Sequence, residues 1–242
     1  MHQTIPQFDR PFLRMGSIAF LAGVAIVIVS TVLHPSREDP ANHPLVFTQY
    51  ANSDRWIAVH IGQFAGGIVV FAGGFGALYR LLVRSESNIT SALAWLGFAV
   101  AIMTASTIAI LQAVDGIALK RAVDSWVAAP VEEKTTTFRV AEGVRWIEIG
   151  TNSIFRILQG TVAALFGAAI VKSMLLSRWI GGAGVIVGAV TIVAGLEVAY
   201  IGFAYTNILG LRGISMIIYS IWIGILGVFM LKKTMTKIIV IK

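Results

Sequence analysis

The sequence predicts an all-α protein: a polytopic membrane bundle of about six transmembrane helices. Three observations predict it. Hydrophobic residues make up 57% of the 242, and charged residues only 13%; soluble domains carry roughly 25% charge, enough to cover a globular surface. The apolar residues are gathered into six long runs, each able to cross ~30 Å of hydrocarbon as a helix. The charges fall mainly at the ends of those runs. Lipid offers backbone groups no partner, so continuous helix is the conformation that such runs must adopt.

The spans are expected at 16–33, 57–82, 89–119, 147–171, 179–203 and 213–231, within a single transmembrane domain. The first, Gly16 to Leu33, follows Arg10 and Arg14 and ends at His34-Pro35 without a small-x-small cleavage site. It reads as an uncleaved span and not as a signal peptide. The second, Ile57 to Leu82, carries His60 early and Arg80 late. The third, Ile89 to Leu119, is uncharged until Asp115. The fourth, Ile147 to Val171, holds Glu148 and Arg156; the fifth, Trp179 to Phe203, holds Glu197. The sixth, Gly213 to Leu231, has no charge, so spans one and six read as plain apolar walls.

Between the first two spans, Pro35, Pro40 and Pro44 keep the first half of the connection irregular. Between spans three and four, Asp115, Leu119, Ala122 and Trp126 continue one helical face, and Pro130 stands where a new helix restarts. Glu132 and Glu133 follow it, where a helix favours negative charge. Spans three and four are therefore expected to project beyond the membrane as a helical hairpin, with the proline-rich loop beside them.

An even number of spans puts both termini on one side. Lys and Arg divide ten to eight in favour of that side, which has only Asp9 and Glu86 as acids. The expected location is the cell membrane with both termini cytoplasmic. The formal net charge of +7 thus serves membrane lipid, and no feature supports nucleic-acid binding. With no cysteine, disulfides, thiolate metal sites and cysteine nucleophiles are excluded. Glycine is frequent, at 24 residues, and Gly62-x-x-x-Gly66, Gly160-x-x-x-Ala164 and Gly184-x-x-x-Gly188 give faces that let helices approach closely. Tight packing within one chain explains them, and a homo-oligomer through the same faces is the alternative.

Ionisable groups inside a bilayer persist where they face protein or a water-filled space. In the fourth span Glu148, Asn152, Arg156 and Gln159 are spaced four, four and three apart, one helical face over about three turns. The partners on offer are His60 and Gln63, Gln112 and Asp115, and Glu197, with Asn207 just beyond it. His60, Asp115, Glu148 and Glu197 lie near the ends of their spans away from the termini, and Arg156 is about 12 Å deeper than Glu148. The polar groups therefore gather in one half of the bundle. That describes an outward-facing pocket for a small-molecule ligand between spans two to five, as distinct from a pore lined along its length. The bland alternative is a structural ion pair between Arg156 and one of the acids.

His34, His43 and His60 form a second constellation on the same side. With nearby carboxylates they could hold zinc or another divalent metal, and a bound metal would activate water for hydrolysis. Paired haem ligation by His34 and His60 is a further possibility. No close H-x-x-x-H spacing supports either. No phosphate loop, dinucleotide fingerprint or nucleophile elbow is present. Trp56, Trp126, Trp146 and Trp179 suit interfacial belts.

The segments from His34-Pro35 to Pro44, from Trp56 to Gln63, and from Arg145-Trp146-Ile147-Glu148 to Arg156 look like those of uncharacterised prokaryotic six-helix membrane proteins. The resemblance implies the fold and brings no activity or functional residues with it. The expected function is ligand binding in the outward pocket. Alternatives are a membrane-embedded metal-dependent hydrolase and a small proton-coupled transporter using Asp115, Glu148 and Arg156.

Overall fold

The computed structural model describes residues 9–35, 38–85, 87–173, 175–203 and 210–235. Arg37, Glu86, Lys237 and Lys242, counted above for orientation, and Asn207 lie outside the described residues. The regular structure is helical: α1 Arg10–Val32, α2 His43–Ala51, α3 Trp56–Leu82, α4 Asn88–Ala128, α5 Lys134–Ser173, α6 Arg178–Ile201 and α7 Leu211–Met235. All but α2 are long and apolar enough to cross a membrane, giving six candidate spans.

The helices α4 and α5 have 41 and 40 residues, about 60 Å of helix each, twice the hydrocarbon thickness. Their far ends form the expected hairpin. Pro130 begins the turn, whose closing bond runs from the Glu133 N–H to the Pro130 carbonyl at 3.0 Å. The Lys134 ammonium donates to the Trp126 and Val127 carbonyls at 2.8 and 2.7 Å, satisfying the free carbonyls at the end of α4.

The helix α2 lies in the proline-rich connection. Asn42 caps it, its side chain accepting from the Leu45 N–H at 3.3 Å, and Pro44 sits in the first turn, where its missing N–H costs nothing. Val46, Phe47 and Tyr50 of α2 are buried against Trp56, Leu119, Val123 and Ala141. The loop is thus bound to the hairpin by a small apolar core of its own.

The six spans pack in sequence order, and α7 closes the ring on α1. In the half nearer the start of α1 and the end of α7, aromatic rings fill the centre. Phe75 meets Phe20 edge-on at 5.0 Å and stacks on Phe166 at 5.0 Å, with Trp222 at 6.2 Å. All four are buried. The Trp222 indole N–H donates to the Ile180 carbonyl at 3.0 Å, so the plug leaves no indole donor unpaired. At the adjacent rim, buried Asp9 holds Arg84 at 2.7 Å and Arg80 at 3.3 Å, tying the start of α1 to the end of α3. We call the opposite half of the bundle distal.

Glycine sets the distance between α5 and α6. A Cβ on Gly160 would stand 2.5 Å from the Gly188 carbonyl, and one on Gly188 would stand 2.6 Å from the Gly160 carbonyl. Gly167 and Gly181 repeat this at 2.7 Å each. Between α1 and α3, Gly23 and Gly66 do the same at 2.8 Å. These small-residue faces are occupied within the chain.

Since backbone cannot move aside as a side chain does, Gly160→Ala is expected to lower thermal stability by about 1–3 kcal/mol. Gly182→Ala, whose Cβ meets nothing within 4 Å, should leave it unchanged or slightly raised. Thermal unfolding of both variants in the same detergent checks this.

Candidate functional site

The distal half of the bundle is hollow. A cavity of about 400 Å³ is bounded by α1, α3, α4, α5 and α7, and covered by Pro35, Glu38, Pro40, Gln49 and Tyr50 of the α1–α3 connection. Its floor, above the aromatic plug, is apolar and includes Val24, Val27, Val70, Phe71, Ile108 and Ile223. Its distal walls are polar.

One wall is a π-helical turn in α4, Ala113–Leu119. Such turns open the helical hydrogen-bond ladder and recur at functional sites. Here the Asp115 carbonyl accepts from the Trp56 indole N–H at 3.0 Å, while the Asp115 carboxylate lies 3.1 Å from His60 Nε2. On its other side, His60 Nδ1 is 2.7 Å from the Trp56 carbonyl. That carbonyl can only accept, so Nδ1 donates. Nε2 is the ring nitrogen left to face the Asp115 carboxylate. Tyr50, Trp56 and His60 stack in a column, 3.9 and 4.5 Å between centroids. His34 sits 4.9 Å from Trp56 and 5.2 Å from His60.

The facing wall is α5. Arg145 donates to Glu148 at 2.6 Å, and both side chains are buried. The same guanidinium reaches the Pro40 carbonyl at 3.4 Å and lies 4.9 Å from the Phe203 ring. About three turns deeper than Arg145, Arg156 donates through Nε to Asn152 at 2.8 Å, and through Nη1 to Ser215 at 3.4 Å and the Arg212 carbonyl at 3.5 Å. The expected ion pair of Arg156 with Asp115, Glu148 or Glu197 does not form. Among the described residues Asp115 is taken by His60 and Glu148 by Arg145. Arg212 lies over the Phe203 ring at 4.3 Å.

Buried polar atoms are normally paired, because an unpaired one forfeits its hydration. Six atoms on residues lining this cavity are buried with no hydrogen-bond partner among the described residues. They are Gln49 Oε1, Gln112 Oε1, Asp115 Oδ1, Arg145 Nε, Arg212 Nη1 and the Tyr219 hydroxyl.

Of the residues picked out from sequence, Gln63, Gln112, Asp115, Glu148, Asn152, Arg156 and Gln159 all line the cavity. His60 stands one layer back, behind Asp115. Glu197 of α6 is not part of the lining. No residue of α6 is, because its glycine face is flush against α5 and leaves no gap between them. Spans one and six, which read as plain walls, both contribute: Val24, Val27 and Thr31 from α1, and Arg212, Tyr219 and Ser220 from α7. Sequence reasoning missed Arg145, Arg212 and Tyr219. Arg145 had a signal, since it extends the α5 stripe by one turn before Glu148; Arg212 and Tyr219 had none of their own.

The three histidines divide. His34 and His60 are neighbours, but His43 lies apart, with Nδ1 3.2 Å from Glu142 and its ring against Phe47 and Trp146. Among the described residues no group of three or more His, Asp or Glu side chains could hold a metal ion. Comparison with known proteins adds no name: the chain matches no protein-family model, no curated protein and no solved structure.

Burial pushes the His34 imidazole down to about 4. Asp115 opposes that shift, while His60, Arg212 and Arg145 add to it. Burial also raises the Tyr50 phenol well above its usual range, so it stays neutral. For His34 the unfolded chain takes up a proton below about 6.5, whereas the folded protein resists until about 4. Unfolding therefore binds protons in that window, and stability falls as pH drops from 6.5 towards 4. His34→Phe, which keeps a ring against Trp56, should flatten this part of the pH–stability curve. Melting temperatures of both proteins across that range measure the difference.

Proposed function

We propose that this is a ligand-binding membrane protein that takes a small molecule into the distal cavity from outside the cell, with both termini cytoplasmic. The observation that carries this reading is the cavity itself: about 400 Å³, within the range of small-molecule sites, with six buried polar atoms that have no partner among the described residues. A structural ion-pair network would have paired those atoms internally. The polar wall above an apolar floor fits a site that fixes a ligand by a few polar contacts and buries the rest.

Binding is better supported than passage. Below the cavity Phe20, Phe75, Phe166 and Trp222 fill the ring, so a transport cycle would have to part that plug. A side groove lined by His43, Glu142, Trp146 and Ile201 shares Pro40 and Phe203 with the cavity, which offers a lateral way in. The outward orientation rests on the Lys and Arg excess at the terminal face.

Native mass spectrometry of protein released from its membrane, with solvent extraction in parallel, tests the reading. One small molecule per chain is expected. Ser220→Trp, which places a bulky ring on the cavity wall, should remove it while the protein stays folded. Wild type and variant carrying the same molecules in the same amounts would refute a cavity ligand.

A further inference from the structure

We propose that the ligand is an anionic amphiphile: a carboxylate or phosphate head held by Arg156 and Arg212, on a single apolar chain that lies along the cavity floor. This rests on the reading of the cavity as a ligand site.

Among the described residues the charges lining the cavity are three arginines, Arg145, Arg156 and Arg212, and three acids, Glu38, Asp115 and Glu148. Two acids are committed, Asp115 to His60 and Glu148 to Arg145. Glu38, on the covering loop, forms no ion pair with Arg156 or Arg212, and neither does Glu197 behind α5. Among the described residues these two guanidinium groups thus form no direct ion pair, although Glu148 lies near enough to act on Arg212 and Glu197 on Arg156. The two arginines come from facing helices, and Arg156 donates to the backbone carbonyl of Arg212. Two like charges beside an apolar space are costly unless an anion stands between them. Guanidinium is also the group best shaped for a carboxylate or phosphate, through paired N–H donors. Arg212 Nη1 has no hydrogen-bond partner among the described residues.

The face of α7 that carries Arg212 continues the argument. Ser215 and Tyr219 follow at helical spacing, and Ile223 lies one turn below. The buried Tyr219 hydroxyl, also without a partner among the described residues, can donate to a head-group oxygen. Beneath it the lining is Val24, Val70, Phe71, Ile108 and Ile223, which offers nothing to a second polar end. Along α7 the order from cation through a hydroxyl to hydrocarbon matches an anion on one chain.

The test uses the full chain in phosphatidylcholine nanodiscs at low ionic strength. Four probes share a ten-carbon chain: decanoate, decyl phosphate, decanol and decyltrimethylammonium. Thermal stabilisation and tryptophan fluorescence report binding. The two anions should bind at least about tenfold more tightly than decanol, and the ammonium more weakly still. Arg212→Gln should weaken the anions by about tenfold to a hundredfold and leave decanol unchanged. Arg212→Lys, which keeps the charge, should retain most of the anion affinity and controls for folding. Lysophosphatidate placed in the bilayer, compared with free decanoate, separates a lipid source from a soluble one; arginine-dependent binding of either supports the proposal. It is overturned if decanol matches decanoate, if the ammonium binds best, if anion affinity survives Arg212→Gln, or if no probe binds. In each of those cases a copurified molecule displaced by Ser220→Trp would still uphold the cavity as a ligand site, so the two readings fail separately.

Discussion

A guanidinium ion cannot be left in hydrocarbon. The helix α5 carries two on one face, Arg145 and Arg156, with Glu148, Asn152 and Gln159 beside them. That stripe has to face protein or a polar space, and the rest of the bundle is arranged around this need. The helix α7 turns Ser215 and the carbonyl of Arg212 towards Arg156. The covering loop turns the Pro40 carbonyl towards Arg145. Phe203 offers its ring to Arg145 and Arg212 alike, a cation–π contact that gains from a dry setting. Meanwhile α6 backs α5 from outside through glycine, adding no polar group to the cavity.

The two halves of the bundle are built on different physics. The half nearer the termini is held by close packing: aromatic rings at the centre, glycine-to-carbonyl approaches at the seams, and one buried aspartate clamp at the rim. Without a hydrophobic force between helices in lipid, such fit is what association depends on. The distal half is held by polar contacts around an open space and by the small apolar core under α2. A rigid plug under a polar cavity gives a site that is fixed from below and covered by a loop. The π-helical turn at Asp115 belongs to the same design, since it presents carboxylate and carbonyl to two different partners, His60 and Trp56.

Much of this was legible from sequence because lipid imposes simple rules. Six apolar runs gave six spans, and the Pro130 turn between two overlong helices gave the hairpin. The stripe on α5 was legible because its spacing is helical and its residues are expensive to bury. What escaped has identifiable causes. The helix α2 is short, proline-started and stabilised by tertiary contacts, so the loop prolines concealed it. The π-helical turn has no sequence signature. Arg145 lies just before the expected start of the fourth span at Ile147, although it continues the stripe by one turn. Glu197 looked equivalent to Asp115, but its helix packs by a glycine face that excludes it from the cavity. Arg212 and Tyr219 belong to a span whose apolar run hid its polar margin, and only the closure of the ring brings them opposite α5.

The central claim is that the bundle is hollow in its distal half and sealed below. The chain has no cysteine, so single cysteines can be placed without background. The decisive measurement is labelling of Asn152→Cys, Gln112→Cys, Ala163→Cys and Ala169→Cys by a membrane-impermeant maleimide added outside intact cells. The first two positions line the cavity and should react, with Ser220→Trp slowing them. The other two are fully buried in the plug region and should stay silent. Labelling that runs down α5 through Ala169, or no labelling at Asn152 from outside, would contradict the account.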